Sequence, residues 1–252
     1  GEDVNSVAIS SDGEYIAAGG DDGKVYLFDK DSSTPLWSYA TEGNVDSVSI
    51  SADGEYITAG GADNKVYLFG KDSSTPLWSY TTGSNVYSVS ISADGEYIAA
   101  GSLDNKVYLF DKDSSTPLWS HSISNAVEHV AISADGEYIV ASSDSSNYDN
   151  IYLFDKDSST PLWSYETDGS VRSVSISADG EYIVAGSSDY KVYLFDKDSS
   201  TPLWSYSTGF GVNSVDISAN GDYIVAGTGN DYVYLFYKTS STPLWNYNIG
   251  YA

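Results

Sequence analysis

The segment SVSISADGEYITAGGADNKVYLFGKDSSTPLWSY, residues 47–80, decides the fold, because close copies of it fill the rest of the chain. The copies follow one another at an interval of 41 residues, which is lengthened once to 44. A constant internal period of this length is typical of a repeat protein in which each copy forms one structural unit. Each copy has one tryptophan in a Pro-Leu-Trp segment, and the six are Trp37, Trp78, Trp119, Trp163, Trp204 and Trp245.

Each copy predicts four short β-strands, because residues rich in Val, Ile, Tyr, Phe and Trp alternate with clusters of turn residues. In the first copy we predict strand A over Val4–Ser10, strand B over Glu14–Gly19, strand C over Lys24–Phe28 and strand D over Leu36–Tyr39. A glycine between strands A and B in every copy predicts a tight hairpin with positive φ. All six prolines directly precede strand D, which indicates an edge strand, where a missing N–H group is tolerated.

Both faces of the predicted sheet are apolar. In strand C, Val25 and Leu27 point to one face and Tyr26 and Phe28 to the other, so both faces must be covered. Stacking such sheets around an axis covers them, which predicts an all-β, six-bladed β-propeller of four-stranded antiparallel blades. We expect a single domain over residues 1–252, with blades at about 1–42, 43–83, 84–124, 125–168, 169–209 and 210–252.

Two further expectations concern the ends of the repeat array. The chain runs from strand A of blade 1 to strand D of blade 6, so no blade is shared between the two ends. We therefore expect closure to depend on packing between the first and sixth blades or on dimerisation. A flat array of repeats is the alternative architecture, and it would expose two large aromatic faces.

The repeat unit also resembles known families. Its Ser-Val-x-Ile-Ser and Val-Tyr-Leu-Phe-Asp segments resemble the WD repeat over the whole chain. The Trp-Asp pair that ends strand C in that family is replaced here, for example by Phe28-Asp29. Two copies depart further from the family pattern, with Phe69-Gly70 and Phe236-Tyr237. The Asp-Lys-Asp-Ser-Ser-Thr-Pro-Leu-Trp segment is similar to the repeat of quinoprotein-type propellers. Either resemblance implies the fold only, because function in such folds resides in local sites. No catalytic or quinone-binding residue is transferred, and no cofactor is expected.

Composition narrows the classes of partner. The chain is 41% hydrophobic, which indicates a folded protein, and its net charge of −25 would repel phosphate backbones and anionic surfaces. We therefore expect no nucleic-acid partner, and no apolar run is long enough to predict membrane insertion. Cysteine is absent, so disulfides make no contribution. The acidity favours an extracellular or cell-surface protein but leaves the localisation open.

The six copies differ mainly in two kinds of connection. The A–B and C–D turns hardly change, whereas the B–C turns and the D–A connections differ in every copy. In an up-and-down blade the two variable connections emerge at the same end, which we call the variable face. The candidate binding residues on this face are Asn5, Asp46, Tyr87, Leu103, Glu128, His129, Tyr148, Arg172, Tyr190, Phe210, Asn213 and Tyr232.

These residue types favour binding. Tyr and Arg are enriched at binding hot spots, and Arg172 is the single arginine of the chain. It occupies the position before the Ser-Val of strand A, which the repeat is expected to arrange as a ring at the channel mouth. We therefore predict a non-enzymatic scaffold that binds a peptide, a protein loop or a glycan. Drift after duplication, with Arg172 merely neutralising nearby acids, is the competing interpretation.

Two other functions stay open at this stage. A glycan-processing enzyme could use the carboxylates of Asp46 and Glu128, with His129, Arg172 and Asp216 nearby. A structural or oligomerising module of a larger surface protein is the second alternative. The general expectation is a monomer or a weak homo-oligomer.

Metal sites are not predicted. The two histidines, His121 and His129, are too few for a transition-metal cluster, and His121 occupies a position that is Tyr in the other copies. The turn at residues 29–32 resembles part of a calcium loop but lacks the remaining ligands. A solvated turn, held by Asp and Ser side chains that accept hydrogen bonds from backbone N–H groups, is the favoured interpretation.

Overall fold

The computed structural model describes residues 2–144 and 149–250, and this part of the chain is built from 24 strands and contains no helix. The strands form six four-stranded sheets, each of four consecutive antiparallel strands, which we call blades 1 to 6. The prediction of a six-bladed β-propeller that runs from strand A of blade 1 to strand D of blade 6 is confirmed. Within the same residues, no helix is long and apolar enough to cross a membrane.

The Cα positions group into two compact units, one ending at Ile132 and one beginning at Ser133. The assignment of residues 1–252 to a single domain stays a prediction. The strands of the first unit are β1 (Val4–Ile9), β2 (Tyr15–Gly20), β3 (Lys24–Asp29), β4 (Trp37–Ala40), β5 (Val45–Ile50), β6 (Tyr56–Gly61), β7 (Lys65–Gly70), β8 (Trp78–Thr81), β9 (Val86–Ile91), β10 (Tyr97–Ser102), β11 (Lys106–Asp111), β12 (Trp119–Ser122) and β13 (Ala126–Ile132).

The second unit repeats the same pattern. Its strands are β14 (Tyr138–Asp144), β15 (Asp149–Asp155), β16 (Trp163–Thr167), β17 (Val171–Ile176), β18 (Tyr182–Ser187), β19 (Lys191–Asp196), β20 (Trp204–Ser207), β21 (Val212–Ile217), β22 (Tyr223–Thr228), β23 (Tyr232–Tyr237) and β24 (Trp245–Asn248).

The hairpin between strands A and B forms as predicted, with one adjustment. Its glycine has positive φ in all six blades, for example 73° at Gly54. Strand A ends at Ile9 and strand B begins at Tyr15, one residue inside the predicted limits. The reason is that Ser10 and Asp12 form the turn: Ser10 Oγ donates to Asp12 Oδ1 at 2.6 Å and accepts from Tyr15 N at 3.0 Å.

Strand D is an edge strand in every sheet, as the prolines predicted. In blade 1 it spans Trp37–Ala40, one residue later than predicted. The indole nitrogen of its tryptophan donates to a backbone oxygen of the following blade, from Trp37 to Lys71 at 2.7 Å and from Trp78 to Lys112 at 2.7 Å. The second unit repeats the contact, from Trp163 to Lys197 and from Trp204 to Lys238. The repeated tryptophan therefore joins neighbouring blades.

Both faces of the inner strands are covered, as predicted. In β7 the residues from Val66 to Phe69 are all buried. Tyr67 and Phe69 belong to a core cluster shared with blade 1, whereas Val66 and Leu68 belong to one shared with blade 3. One strand therefore serves two blade-to-blade cores, which explains why its sequence is apolar at every position.

In blades 1, 2, 3 and 5, close approach to the next blade uses a glycine of strand B, whereas blade 4 has the buried Ser142 at this position. A Cβ atom built on Gly19 would lie 2.4 Å from Val45 Cγ1 and 3.1 Å from Val48 Cγ1. The same notch recurs at Gly60, where Val86 Cγ1 would lie at 2.4 Å. The strand A valines of one blade therefore occupy space that a side chain on the preceding blade would fill.

We expect Gly60→Ala to lower the free energy of unfolding by about 1–3 kcal/mol, because the added methyl group overpacks a buried contact with a stiff valine. Gly70→Ala in the same blade is the matched control, since only Leu77 Cδ1 comes as near as 4.0 Å to its Cβ position. Urea denaturation of both variants measures the difference. Equal urea midpoints for Gly60→Ala and the wild type would contradict the claim that this position has no room for a methyl group.

Candidate functional site

In each blade the two variable connections lie together. The D–A connection bonds to the B–C turn of the same blade, from Thr41 N to Gly23 O at 2.8 Å in blade 1 and from Thr208 N to Tyr190 O at 2.8 Å in blade 5. The B–C turn also forms a hydrogen bond with the residues that precede strand A. In blade 5, Ser188 N donates to Ser170 O at 2.7 Å. The variable segments of a blade therefore share one end of it, which is the arrangement that defines the variable face.

One residue of the B–C turns adopts an unusual backbone conformation. At equivalent positions Gly23, Asn64, Asn105 and Asp231 have positive φ, which glycine, asparagine and aspartate adopt most easily. In blade 5 the residue is Tyr190, with φ 75°. A tyrosine is rarely found in this left-handed region, and its side chain is 52% exposed.

Arg172 is held beside the next blade. It extends from β17, and its Nη1 atom donates to Asn213 Oδ1 of β21 at 2.5 Å. Both side chains are exposed. A Cβ atom on Gly211 would lie 3.3 Å from Arg172 Nη1, so the absence of a side chain at Gly211 leaves room for the guanidinium group.

Two exposed aromatic residues lie in the connections around Arg172. Phe210 is 52% exposed and directly precedes Gly211. Thr208 Oγ1 lies 3.0 Å from the backbone oxygen of Tyr190 and 2.6 Å from that of Phe210, so a single threonine links the two backbones. We call the residues Arg172, Tyr190, Phe210, Gly211 and Asn213 the Arg172 patch.

Tyr232 has a different role from the other candidate aromatics. It is half-buried, packs against the core cluster of blades 5 and 6, and its ring centroid lies 6.0 Å from that of Tyr234. It therefore contributes to packing rather than to the Arg172 patch. Tyr148, the remaining candidate of this unit, lies outside the described residues.

In the first unit, the candidates of blades 1 and 2 are polar and acidic. Asn5 Nδ2 donates to Asp21 Oδ1 at 2.8 Å and to Val45 O at 3.2 Å, and Asn44 Nδ2 donates to the same Asp21 oxygen at 2.9 Å. Asp46 is partly buried, and burial raises its pKa, as do the negative charges of Asp21 and Asp63. The fold therefore disfavours the charged form of Asp46.

The other candidates of the first unit lie in blades 3 and 4. Tyr87 is exposed on β9, and Leu103 is half-buried in the next B–C turn, where its N–H group donates to Asn85 O at 2.9 Å. Glu128 and His129 are partly buried on β13. Burial lowers the pKa of His129, so its neutral form is favoured.

The opposite turns are held by their own side chains. Asp29 Oδ1 accepts a hydrogen bond from Asp31 N at 2.9 Å, and Ser32 Oγ accepts one from Thr34 N at 3.0 Å. This confirms the predicted turn stabilised by Asp and Ser side chains. Among the residues that the structure describes, no group of three His, Cys, Asp or Glu side chains could hold a metal ion.

Sequence reasoning missed two residues of the Arg172 patch and its surroundings. Gly211 and Thr208 were not singled out, although Thr208 joins Tyr190 to Phe210 and Gly211 makes room for Arg172. The sequence did contain a signal for this region. At the position of the B–C turn where the other copies have Gly, Asn or Asp, blade 5 has Tyr190.

The model of the family PQQ_2, described as "Outer membrane protein assembly factor BamB", matches residues 3–134 and 104–252. The chain belongs to this family. No curated protein matches it. The match favours the quinoprotein-type resemblance over the WD repeat, and membership of the BamB-like family marks the chain, in general terms, as a propeller scaffold for protein binding.

We expect Asp46→Asn to stabilise the fold at neutral pH, because the folded state raises the pKa of Asp46 and so carries a cost whenever the carboxylate is charged. The folded state binds the proton more tightly, so stability due to Asp46 falls as the pH rises from the ordinary value of 3.8 to the raised pKa. The stabilisation by Asp46→Asn should therefore vanish below pH 3.8, where Asp46 is protonated in both states. Denaturation of both proteins across this pH range measures it.

Asp72→Asn is the control, because it removes the same charge from an exposed side chain whose surface ion pair with Lys71 contributes little to stability. An equal gain from the two substitutions at neutral pH would show that only the net charge matters, and would contradict a specific cost at Asp46.

Proposed function

We propose that the chain is a non-enzymatic scaffold whose variable face binds an extended peptide or loop of another protein at the Arg172 patch. The observation that carries this proposal is the grouping of an exposed arginine with two exposed aromatic residues on adjoining connections of blades 5 and 6. Arginine and tyrosine are the residue types that most often dominate binding energy at protein interfaces.

The conformation of Tyr190 supports a functional role. A left-handed conformation costs a non-glycine residue roughly 1–2 kcal/mol, and this cost persists only where something compensates for it. The ring of Tyr190 is half exposed, so packing within the chain compensates only in part. A ligand that packs against this ring supplies a reason for a tyrosine at a position where other blades have glycine, asparagine or aspartate.

Arg172 suits recognition of a peptide backbone. Its hydrogen bond to Asn213 orients the guanidinium group. Because a guanidinium group has five N–H donors, the remaining donors can bind carbonyl oxygens of a ligand. The rest of the chain is strongly acidic, with a net charge of −25. The ligand that fits best therefore places an apolar side chain against Tyr190 and Phe210 and carries basic rather than acidic flanking residues.

The family supports a protein ligand rather than a small molecule, because its model is described as an assembly factor for outer membrane proteins. The proposal is therefore of a binding protein rather than an enzyme.

A displayed library of random peptides tests the proposal, with selected peptides measured against purified variants. We expect Arg172→Ala and Phe210→Ala each to weaken binding by about tenfold or more, as hot-spot truncations do. Leu162→Ala is the matched control, because Leu162 is similarly exposed but lies in a C–D turn at the opposite end of its blade. Peptides that bind all variants equally would refute the site.

Tyr190→Gly separates a binding role from a structural one. Glycine adopts positive φ at no steric cost, so this variant should be at least as stable as the wild type in denaturation while losing the selected peptides. A variant that keeps full affinity would show that Tyr190 is not a binding residue, and one that loses stability together with affinity would show a structural role instead.

A further inference from the structure

Arg172 is a cation that has no acidic partner in its own unit. Its Nη1 atom donates to the neutral side chain of Asn213 at 2.5 Å, and no described acidic residue of the second unit forms an ion pair with it. Each lysine of this unit does form an ion pair. The Nζ atom of Lys197, for example, lies 3.5 Å from Glu181 Oε1 and 3.1 Å from Asp198 Oδ1. The ion pairs of this unit therefore give no support to the interpretation that Arg172 only neutralises nearby acids.

The acidic residues in the connections of blade 5 are engaged with other groups. Asp168 Oδ2 lies 3.6 Å from Lys191 Nζ. Asp189 Oδ2 accepts a hydrogen bond from the hydroxyl group of Tyr193 at 2.5 Å, and Asp189 Oδ1 accepts one from Lys191 N at 3.0 Å. Both carboxylates thus have partners of their own, which leaves the charge of Arg172 available to a ligand.

The polar atoms that the Arg172 patch offers to a ligand are mainly hydrogen-bond donors. The bond to Asn213 uses an N–H group of Nη1, so the edge of the guanidinium group formed by Nε and Nη2 is left for a ligand. Asn213 is exposed, and its Nδ2 group donates to no acceptor among the described residues. A ligand group that only accepts hydrogen bonds therefore matches this pair of side chains.

A carboxylate is the group of a peptide that accepts hydrogen bonds only and carries the charge opposite to that of arginine. Its hydrogen bonds with arginine are about twice as strong as those between neutral groups, and they are often bidentate. Backbone carbonyl oxygens also accept from these donors, but they leave the charge of Arg172 uncompensated. A phosphate group, with a charge of about −2, meets stronger repulsion from the net charge of −25 than a carboxylate does.

We propose that the Arg172 patch recognises a carboxylate that lies beside an apolar side chain of the ligand. The carboxylate binds Arg172, and the apolar side chain packs against the exposed rings of Tyr190 and Phe210. This inference rests on the proposed function, because it specifies one chemical group of the peptide ligand. The carboxylate is either the free C-terminus of the ligand or the side chain of an aspartate or glutamate, since both have the same chemistry.

A single carboxylate at Arg172 is compatible with basic residues elsewhere in the ligand. The carboxylate faces the one arginine of the chain, whereas the flanking residues face a surface that is acidic overall. Complementary charges on both parts fix the direction in which the ligand lies on the patch. The expected ligand therefore combines one carboxylate, one adjacent apolar side chain and basic flanking residues.

A library of peptides displayed with free carboxyl termini provides the probes, and each selected peptide is measured in two neutral forms. One form has an amide in place of the terminal carboxylate, and the other has Asn or Gln in place of each Asp or Glu. We expect one of these changes to weaken binding by about tenfold or more, because it removes a charge-assisted hydrogen bond, and the other to have little effect. The form that loses affinity identifies the source of the carboxylate.

Arg172→Gln connects the carboxylate to this side chain, because glutamine keeps hydrogen-bonding groups but removes the charge. This variant should bind the charged and neutral forms of each peptide with equal affinity. Lys24→Gln is the matched control, since it removes the same charge from an exposed lysine that follows the B–C turn of blade 1. It should keep the full preference for the charged form. Urea denaturation of both variants verifies that they are folded.

Two results would overturn the inference and leave the proposed function intact. In the first, peptides that bind Phe210→Ala more weakly than the wild type bind the wild type equally well in their charged and neutral forms. In the second, the preference for the charged form persists in Arg172→Gln, which would show that the carboxylate binds elsewhere. Failure of the proposed function is a different result, in which no selected peptide loses affinity for Phe210→Ala or Arg172→Ala.

Discussion

The packing of the strand A valines of one blade against a small residue of strand B in the preceding blade is the contact on which the structure depends, and this residue is glycine in blades 1, 2, 3 and 5 and Ser142 in blade 4. Without a Cβ atom on Gly19, Val45 and Val48 approach the neighbouring strand closely enough for both sheets to be covered. The aromatic contact of Trp37 with Phe69 and the hydrogen bond from Trp37 to Lys71 O follow at the outer part of the same interface. Small and large side chains thus alternate across one repeated contact, as close packing requires.

This contact also produces the candidate site. Within a blade the antiparallel order places the B–C turn and the D–A connection at the same end. Between blades the constant register brings equivalent positions of strand A together, so that Arg172 of β17 reaches Asn213 of β21. The framework is nearly identical in every blade, and the connections that it presents are individual. Differences among the copies can therefore accumulate in the connections without disturbing the cores.

Most of the fold could be predicted from the sequence, because the period, the turn glycines and the apolar strand C each specify a local structure that agrees with the others. The strand ends were displaced by one residue where side chains such as those of Ser10 and Asp12 form the turn. The role of Gly19 and Gly60 in the contact between blades was not predicted, since a strand glycine does not reveal which neighbour approaches it. For the site, the sequence indicated Arg172, Tyr190 and Asn213, but the bond from Arg172 to Asn213 and the role of Thr208 depend on the packing of neighbouring elements.

The hydrogen exchange of the tryptophan indole N–H groups, measured by NMR in dilute solution, tests the repeated contact most directly. Each indole reports on the interface between its own blade and the next. The indoles of Trp37, Trp78, Trp163 and Trp204 donate to backbone oxygens of the following blade and should exchange slowly. Exchange of these four indoles as fast as that of free tryptophan in solution would contradict a structure held together by this contact.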